Sequence, residues 1–155
     1  MSRLTPSREA NCRSGGRDSP GCSTLARVAT HAGFGAHAIV AFVGTANASK
    51  ARLFYRDVLG LKLVSEDDFA LVFDANGTML RVTRVPNVQP AGYTVLGWSV
   101  KDAAAAARRL AAAGVALERY PGMPQDEDGI WTSPAGGRIA WFKDPDGNTL
   151  SITQF

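Results

Sequence analysis

One stretch of this chain occurs twice, and the repeat limits what the chain can fold into. Near the C-terminus it reads Phe142-Lys143-Asp144-Pro145-Asp146-Gly147-Asn148-Thr149-Leu150-Ser151-Ile152-Thr153. A fainter copy upstream reads Phe73-Asp74-Ala75-Asn76-Gly77-Thr78-Met79-Leu80-Arg81-Val82-Thr83. In each, a strand enters a glycine-bearing turn and leaves as a second strand, the signature of a β-hairpin. A repeated hairpin implies a duplicated module, and a duplicated module implies a cleft between the copies where function should lie.

The flanking segments repeat as well. The apolar run 38–43 predicts a buried strand. Asn47 then caps a helix, whose apolar face is Ala51, Phe54, Tyr55, Val58 and Leu59, and Gly60 ends it. Strands are expected at about 61–66, 69–74 and 78–85. The second half opens with a strand at 94–100. Asp102 caps a helix carrying Ala103, Ala106, Ala107 and Leu110, Gly114 ends it, and strands follow at about 115–120, 138–143 and 149–155. A proline-bearing link, 86–92, separates modules 37–86 and 92–155 of a single domain spanning 37–155.

The two halves are unequal. Asn47 to Asp102 is a shift of 55 residues and Gly60 to Gly114 one of 54, whereas Gly77 to Gly147 is one of 70. About 15 extra residues therefore fall in the second half, largely within 121–134, which carries Met123 and Trp131. A long loop in one copy reads as a lid over the cleft or as a surface or dimer-interface loop.

Charge excludes one class of partner. The net charge of +3 comes from residues 1–36, where five arginines face two acids; the remainder holds twelve basic and twelve acidic residues. A neutral body lacks the clustered cations of a nucleic-acid surface. No apolar run approaches the roughly 20 residues of a membrane span. Both cysteines, Cys12 and Cys22, lie in that first segment without a zinc spacing, which reads as free thiols in a reducing cytoplasm. Residues 1–36 read as a disordered basic tail, a mis-assigned start or a transit peptide, in that order.

The order βαβββ–βαβββ, the segment Arg52-Leu53-Phe54-Tyr55-Arg56-Asp57-Val58-Leu59-Gly60-Leu61 and the turn Asp144-Pro145-Asp146-Gly147-Asn148 resemble the vicinal oxygen chelate superfamily of glyoxalase I, bleomycin-resistance proteins and extradiol dioxygenases. The resemblance covers about 39–155. It implies an α+β fold of two tandem modules whose curled mixed sheets enclose one cavity. It also implies a divalent metal held by His or Glu from the first and last strands of each module, acting as a Lewis acid. Those positions fall here on Val40, Arg81, Val95 and Ser151, none of them a usual ligand for such a metal. His37, three residues before Val40, would point to the opposite sheet face. The expectation is therefore that the metal is absent and that no cofactor is needed.

Strand alternation from these anchors gives the lining: Val40 and Phe42; Met79, Arg81 and Thr83; Gly97 and Ser99, leaving Trp98 on the helix side; and Thr149, Ser151 and Thr153. Apolar walls with a few polar groups suit a small molecule. Arg81 reads as a grip on an anionic ligand, as a salt bridge to Asp74 or Glu118, or as a rim residue with its head in water. Met123, Trp131 and Trp141 complete the candidate ligand-binding set, the tryptophans as stacking surfaces or as packing. Asp126, Glu127 and Asp128 read as a solvated acidic run. The pattern leads to a cytoplasmic small-molecule-binding protein that sequesters or senses a partly apolar or anionic compound. A homodimer is expected from the exposed sheet edges. The alternatives are an isomerase, lyase or dioxygenase of the superfamily, using displaced metal ligands or acid–base chemistry by Glu118, Tyr120 or Asp126, and an interaction subunit with a filled cavity. No catalytic constellation is visible.

Overall fold

The computed structural model describes residues 33–155, and those from Gly35 to Phe155 form one compact unit. The tail assigned to 1–36 lies almost wholly outside the described residues. After a short 3-10 turn, Phe34–Ala36, the elements run β1 (Val40–Thr45), α1 (Ala48–Leu53), β2 (Lys62–Glu66), β3 (Ala70–Ala75) and β4 (Thr78–Arg84). The second series is β5 (Leu96–Ser99), α2 (Ala103–Ala112), β6 (Trp131–Thr132), β7 (Arg138–Lys143) and β8 (Thr149–Gln154). No helix among the described residues is long and apolar enough to cross a membrane.

The duplication is explicit in the topology. One sheet has the order β1-β4-β3-β2 and the other β5-β8-β7-β6. In each, the first strand runs parallel to the last and the remaining pairs are antiparallel. The sheets are separate and not closed on one another. The first hairpin turns on Asn76 and Gly77 alone, both at positive φ (54° and 86°), between paired Ala75 and Thr78. That is the two-residue Asn-Gly turn whose twist matches its strands. The second hairpin uses residues 144–148, with Gly147 at φ 85°.

The helix caps follow the sequence. Asn47 Oδ1 accepts the Lys50 amide at 3.0 Å, and Asp102 Oδ1 accepts the Ala105 amide at 3.0 Å. The first helix, however, widens over Phe54–Val58 into a π turn, in which the Leu59 amide donates to the Phe54 carbonyl. This lets the adjacent Phe54 and Tyr55 both enter the core. Tyr55 packs on Phe73 of the first sheet and Phe54 on Phe142 of the second. The helix-facing residues of both sheets, among them Leu71, Phe73, Leu80 and Val82 with Ala140, Phe142, Leu150 and Ile152, thus share one core with the two helices.

One expected strand is not formed. Residues 115–120 supply a single bridge, Leu117 to Phe142, with the Glu118 amide donating to the Trp141 carbonyl. The outer edge of β7 is completed instead by β6, from within the expected loop: Trp131 pairs with Ile139 and Thr132 with Arg138. The extra residues interrupt the edge strand, so that two short segments cover what β2 covers alone in the first module. The first strand also starts at Val40 rather than at residue 38.

Candidate functional site

The strand registers fix which expected lining residues meet. On the first sheet, Phe42 sits across from Arg81, and Arg81 from Val72; Val40 neighbours Met79, and Gly44 neighbours Thr83. Val40, Phe42, Met79, Arg81 and Thr83 therefore share the face turned away from the helices. That face is open: Phe42 is 63% exposed, Met79 45% and Val40 42%. Arg81 is half-buried there. Its guanidinium makes no ion pair or hydrogen bond among the described residues, so of its three readings the bridge to Asp74 or Glu118 is not formed. Asp74 accepts the Gly77 amide instead. Arg81 does help hold the Asp67 carboxyl below its ordinary range, behind the larger effect of hydrogen bonds from the Ala70 and Phe69 amides.

The second sheet gathers the rest. Two cross-strand rows lie on its open face: Gly97, Ser151 and Trp141; and Ser99, Thr153, Ile139 and Trp131. Trp98 is on the helix side, stacked on Phe142 at 6.4 Å. On the open face, Trp141 is the centre of an aromatic group. The Tyr120 ring meets it edge-on at 5.5 Å, Trp131 lies 6.2 Å away at 33°, and the indole Nε1 donates to Thr94 Oγ1 at 3.1 Å. A cleft of about 390 Å³ opens beside it, bordered by Tyr93, Thr94, Tyr120, Met123, Trp141 and Thr149. The loop thus brings Met123 to Trp141. Tyr93 lies outside the expected lining; an aromatic residue between the inter-module link and the strand segment is the available signal.

The loop is tied down. Gln125 Oε1 accepts the Tyr120 amide at 2.7 Å, and its Nε2 donates to the Glu118 and Gly129 carbonyls at 2.9 and 2.7 Å. Arg119 donates to the Asp126 and Glu127 carbonyls, and Ile130 is buried. Asp126 is not simply a solvated acid. It accepts the Ile130 amide at 2.8 Å and lies 3.8 Å from Arg138, while Asp128 pairs with Arg108 at 2.7 Å. Burial, with the nearby Glu118 charge, raises the Tyr120 phenol and makes it a poorer acid near neutral pH.

The positions a superfamily metal would need do not fit one. Val40 and Val95 offer hydrocarbon, Arg81 a cation and Ser151 a neutral hydroxyl. Gly97 and Ser151 are in close approach: a Cβ at Gly97 would stand 2.6 Å from Ser151 Oγ. Among the described residues, no three His, Cys, Asp or Glu side chains come together in a way that could hold a metal ion.

Comparison with known proteins agrees with this architecture. The profile of the Glyoxalase/Bleomycin resistance protein/Dioxygenase superfamily matches residues 35–152. No curated protein matches the sequence. Among solved structures, a lactoylglutathione lyase from Agrobacterium tumefaciens superposes with a TM-score of 0.60 at 19% identity, over 76% of this chain and 93% of that one. A superfamily member from Sphaerobacter thermophilus gives 0.59 at 23% identity, over 76% and 98%. An integron cassette protein from the metagenome of the Halifax Harbour sewage outfall gives 0.59 at 18%, over 76% and 97%. At these identities the likeness is one of fold.

Proposed function

The chain belongs to the glyoxalase/bleomycin resistance protein/dioxygenase superfamily, and within it we propose a non-enzymatic, metal-independent role: binding and sequestration of a flat, partly aromatic small molecule. The observation that carries this reading is the aromatic group of Tyr120, Trp131 and Trp141 beside a cleft that also has Met123, Tyr93, Thr94 and Thr149 on its border. Its volume of about 390 Å³ lies within the usual range of small-molecule sites, roughly 300–1,000 Å³. Aromatic faces give a planar ligand a stacking surface at low conformational cost. The unsuited residues at Val40, Arg81, Val95 and Ser151 support independence from a metal.

The functional unit in this reading is a homodimer. The open face of the first sheet carries Val40, Phe42 and Met79 as an uncovered apolar row, the kind of patch that marks an interaction surface. A second copy would cover this row and leave Arg81, which has no ion pair or hydrogen bond among the described residues, at the edge of a shared site, where it would take an anionic oxygen of the ligand.

Tryptophan fluorescence titrated with a panel of planar aromatic carboxylates, with and without a chelator, tests this. Saturable quenching that ignores the chelator, with the compound recovered unchanged, is expected. Trp141→Ala should weaken it tenfold or more. Stoichiometric divalent metal in protein purified without chelator, or conversion of the compound, would refute the reading.

A further inference from the structure

A second cleft, of about 410 Å³, lies on the opposite side of the second sheet, between the end of the first helix and α2. We infer that it is a binding site for an amphiphilic carboxylate, an acyl or aryl chain with one anionic head. Its apolar walls are Val58, Leu59, Trp98 and Leu110, with Phe142 behind the Trp98 indole. Val58, Leu59 and Trp98 pack against the core yet stay partly exposed, so the cleft is apolar surface that the chain's own core leaves uncovered. The π turn builds one wall. Its wide Phe54-to-Leu59 hydrogen bond delivers Val58 and Leu59 together to the edge of the cleft, and such turns are frequent at functional sites.

The rim supplies the charge. Lys101 and Arg109 border the cleft, and neither has an ion pair or side-chain hydrogen bond among the described residues. The next residue along α2, Arg108, is paired with Asp128 at 2.7 Å. The acid at the rim, Asp102, is occupied in capping α2. An apolar slot flanked by uncommitted cations complements a ligand whose tail lies against Trp98 and Leu110 and whose carboxylate meets the Arg109 fork. None of these residues belongs to the Trp141 cleft, so this site stands or falls independently of that one.

The three tryptophans give three indole N–H resonances, which separate the sites in one experiment. Full-length protein is titrated with decanoate and, separately, with decanol. Decanoate should shift the Trp98 resonance saturably and leave Trp141 in place. Decanol should bind at least tenfold more weakly, Arg109→Gln should remove that difference, and Ala105→Phe, which fills the cleft from the exposed face of α2, should abolish the shift. An unmoved Trp98, equal binding of decanol, or an undiminished shift in Ala105→Phe would each overturn the proposal. So would a Trp98 shift that follows protein concentration instead of decanoate, which would assign the cleft to a second copy.

Discussion

Tyr55 donates its phenol hydrogen to Asp144 Oδ2 at 2.8 Å, joining the first helix to the hairpin turn of the second module across 89 residues of chain. Both groups are buried. The carboxylate also accepts the Asp146 amide, the Asn148 amide and the Asn148 side-chain Nδ2, so four donors replace its water. The same turn reaches back to the end of β1. Asn148 Nδ2 donates to the Gly44 carbonyl, and Asp146 accepts the Thr45 hydroxyl and the Ala46 amide. The residues by which the superfamily is recognised in the sequence, Tyr55 and Asp144 to Asn148, thus fasten one module to the other.

Tyr55→Phe should therefore destabilise the fold by about 1–3 kcal/mol, the cost of leaving a buried acceptor short of a donor, measured by urea unfolding. The same bond sets an alkaline limit. Burial, and then the Asp144 charge and hydrogen bond, raise the Tyr55 phenol above its ordinary value of 10.0. The folded state holds this proton more tightly than the unfolded one, so the contribution is complete below about pH 10 and is lost progressively above it. Of the three tyrosines, Tyr55 should ionise only on unfolding in an ultraviolet titration. Tyr55→Phe should abolish that step and flatten the alkaline loss of stability.

The caps at Asn47 and Asp102, the Asn76-Gly77 turn, the two-module order and which residues of β1, β4, β5 and β8 share a sheet face were legible in the sequence, because each is set by a few neighbouring residues or by strand alternation. The edge of the second sheet was not. The alternation of 115–120 suits a strand, but pairing along β7 is divided between Leu117 and Trp131 by a loop whose fold depends on the Gln125 and Arg119 hydrogen bonds. The π turn was hidden because Ala51, Phe54, Tyr55 and Val58 fit an ordinary helical stripe. The Tyr93–Met123–Trp141 cleft joins the residue that follows the link, the loop and a strand, and no local pattern specifies such a meeting.

Gln125 should determine whether the loop behaves as a lid. With three hydrogen bonds from one amide side chain, the segment from Glu118 to Gly129 is held as a closed turn. Gln125→Ala leaves the Tyr120 amide and two carbonyls without these partners. Hydrogen exchange at Tyr120 should accelerate at least tenfold, with little change in the core strands. Tyr120 exchanging equally fast in the parent protein would show that the loop opens regardless of Gln125.

Phe42 carries the dimer reading. It is 63% exposed beside Met79 and Val40 on the open face of the first sheet. Phe42→Lys sets a second cation across from Arg81 without touching the core, and two like charges buried at an interface without a counter-ion are strongly unfavourable. Sedimentation should show a dimer for the parent chain and a monomer for the variant, with similar melting temperatures at low concentration. A parent chain that sediments as a monomer at all concentrations would remove the second copy from the site.

Gly97 and Ser151 should show the strongest pairwise coupling on the second sheet. A methyl group at Gly97 would stand 2.6 Å from Ser151 Oγ but 3.9 Å from its Cβ. Gly97→Ala alone should cost about 1–3 kcal/mol, as overpacking does. Ser151→Ala removes the offending oxygen and leaves only ordinary contact with its Cβ and a slightly tight one with the carbonyl at 3.4 Å. The double variant should recover most of the loss, with a coupling of about 0.5–3 kcal/mol in urea unfolding. Simple additivity would mean that the backbone of β5 yields instead. Recovery would mean that the serine hydroxyl occupies the space above Gly97, so that this stretch of sheet face is filled by the chain's own side chain and ligands approach it from the Trp141 side.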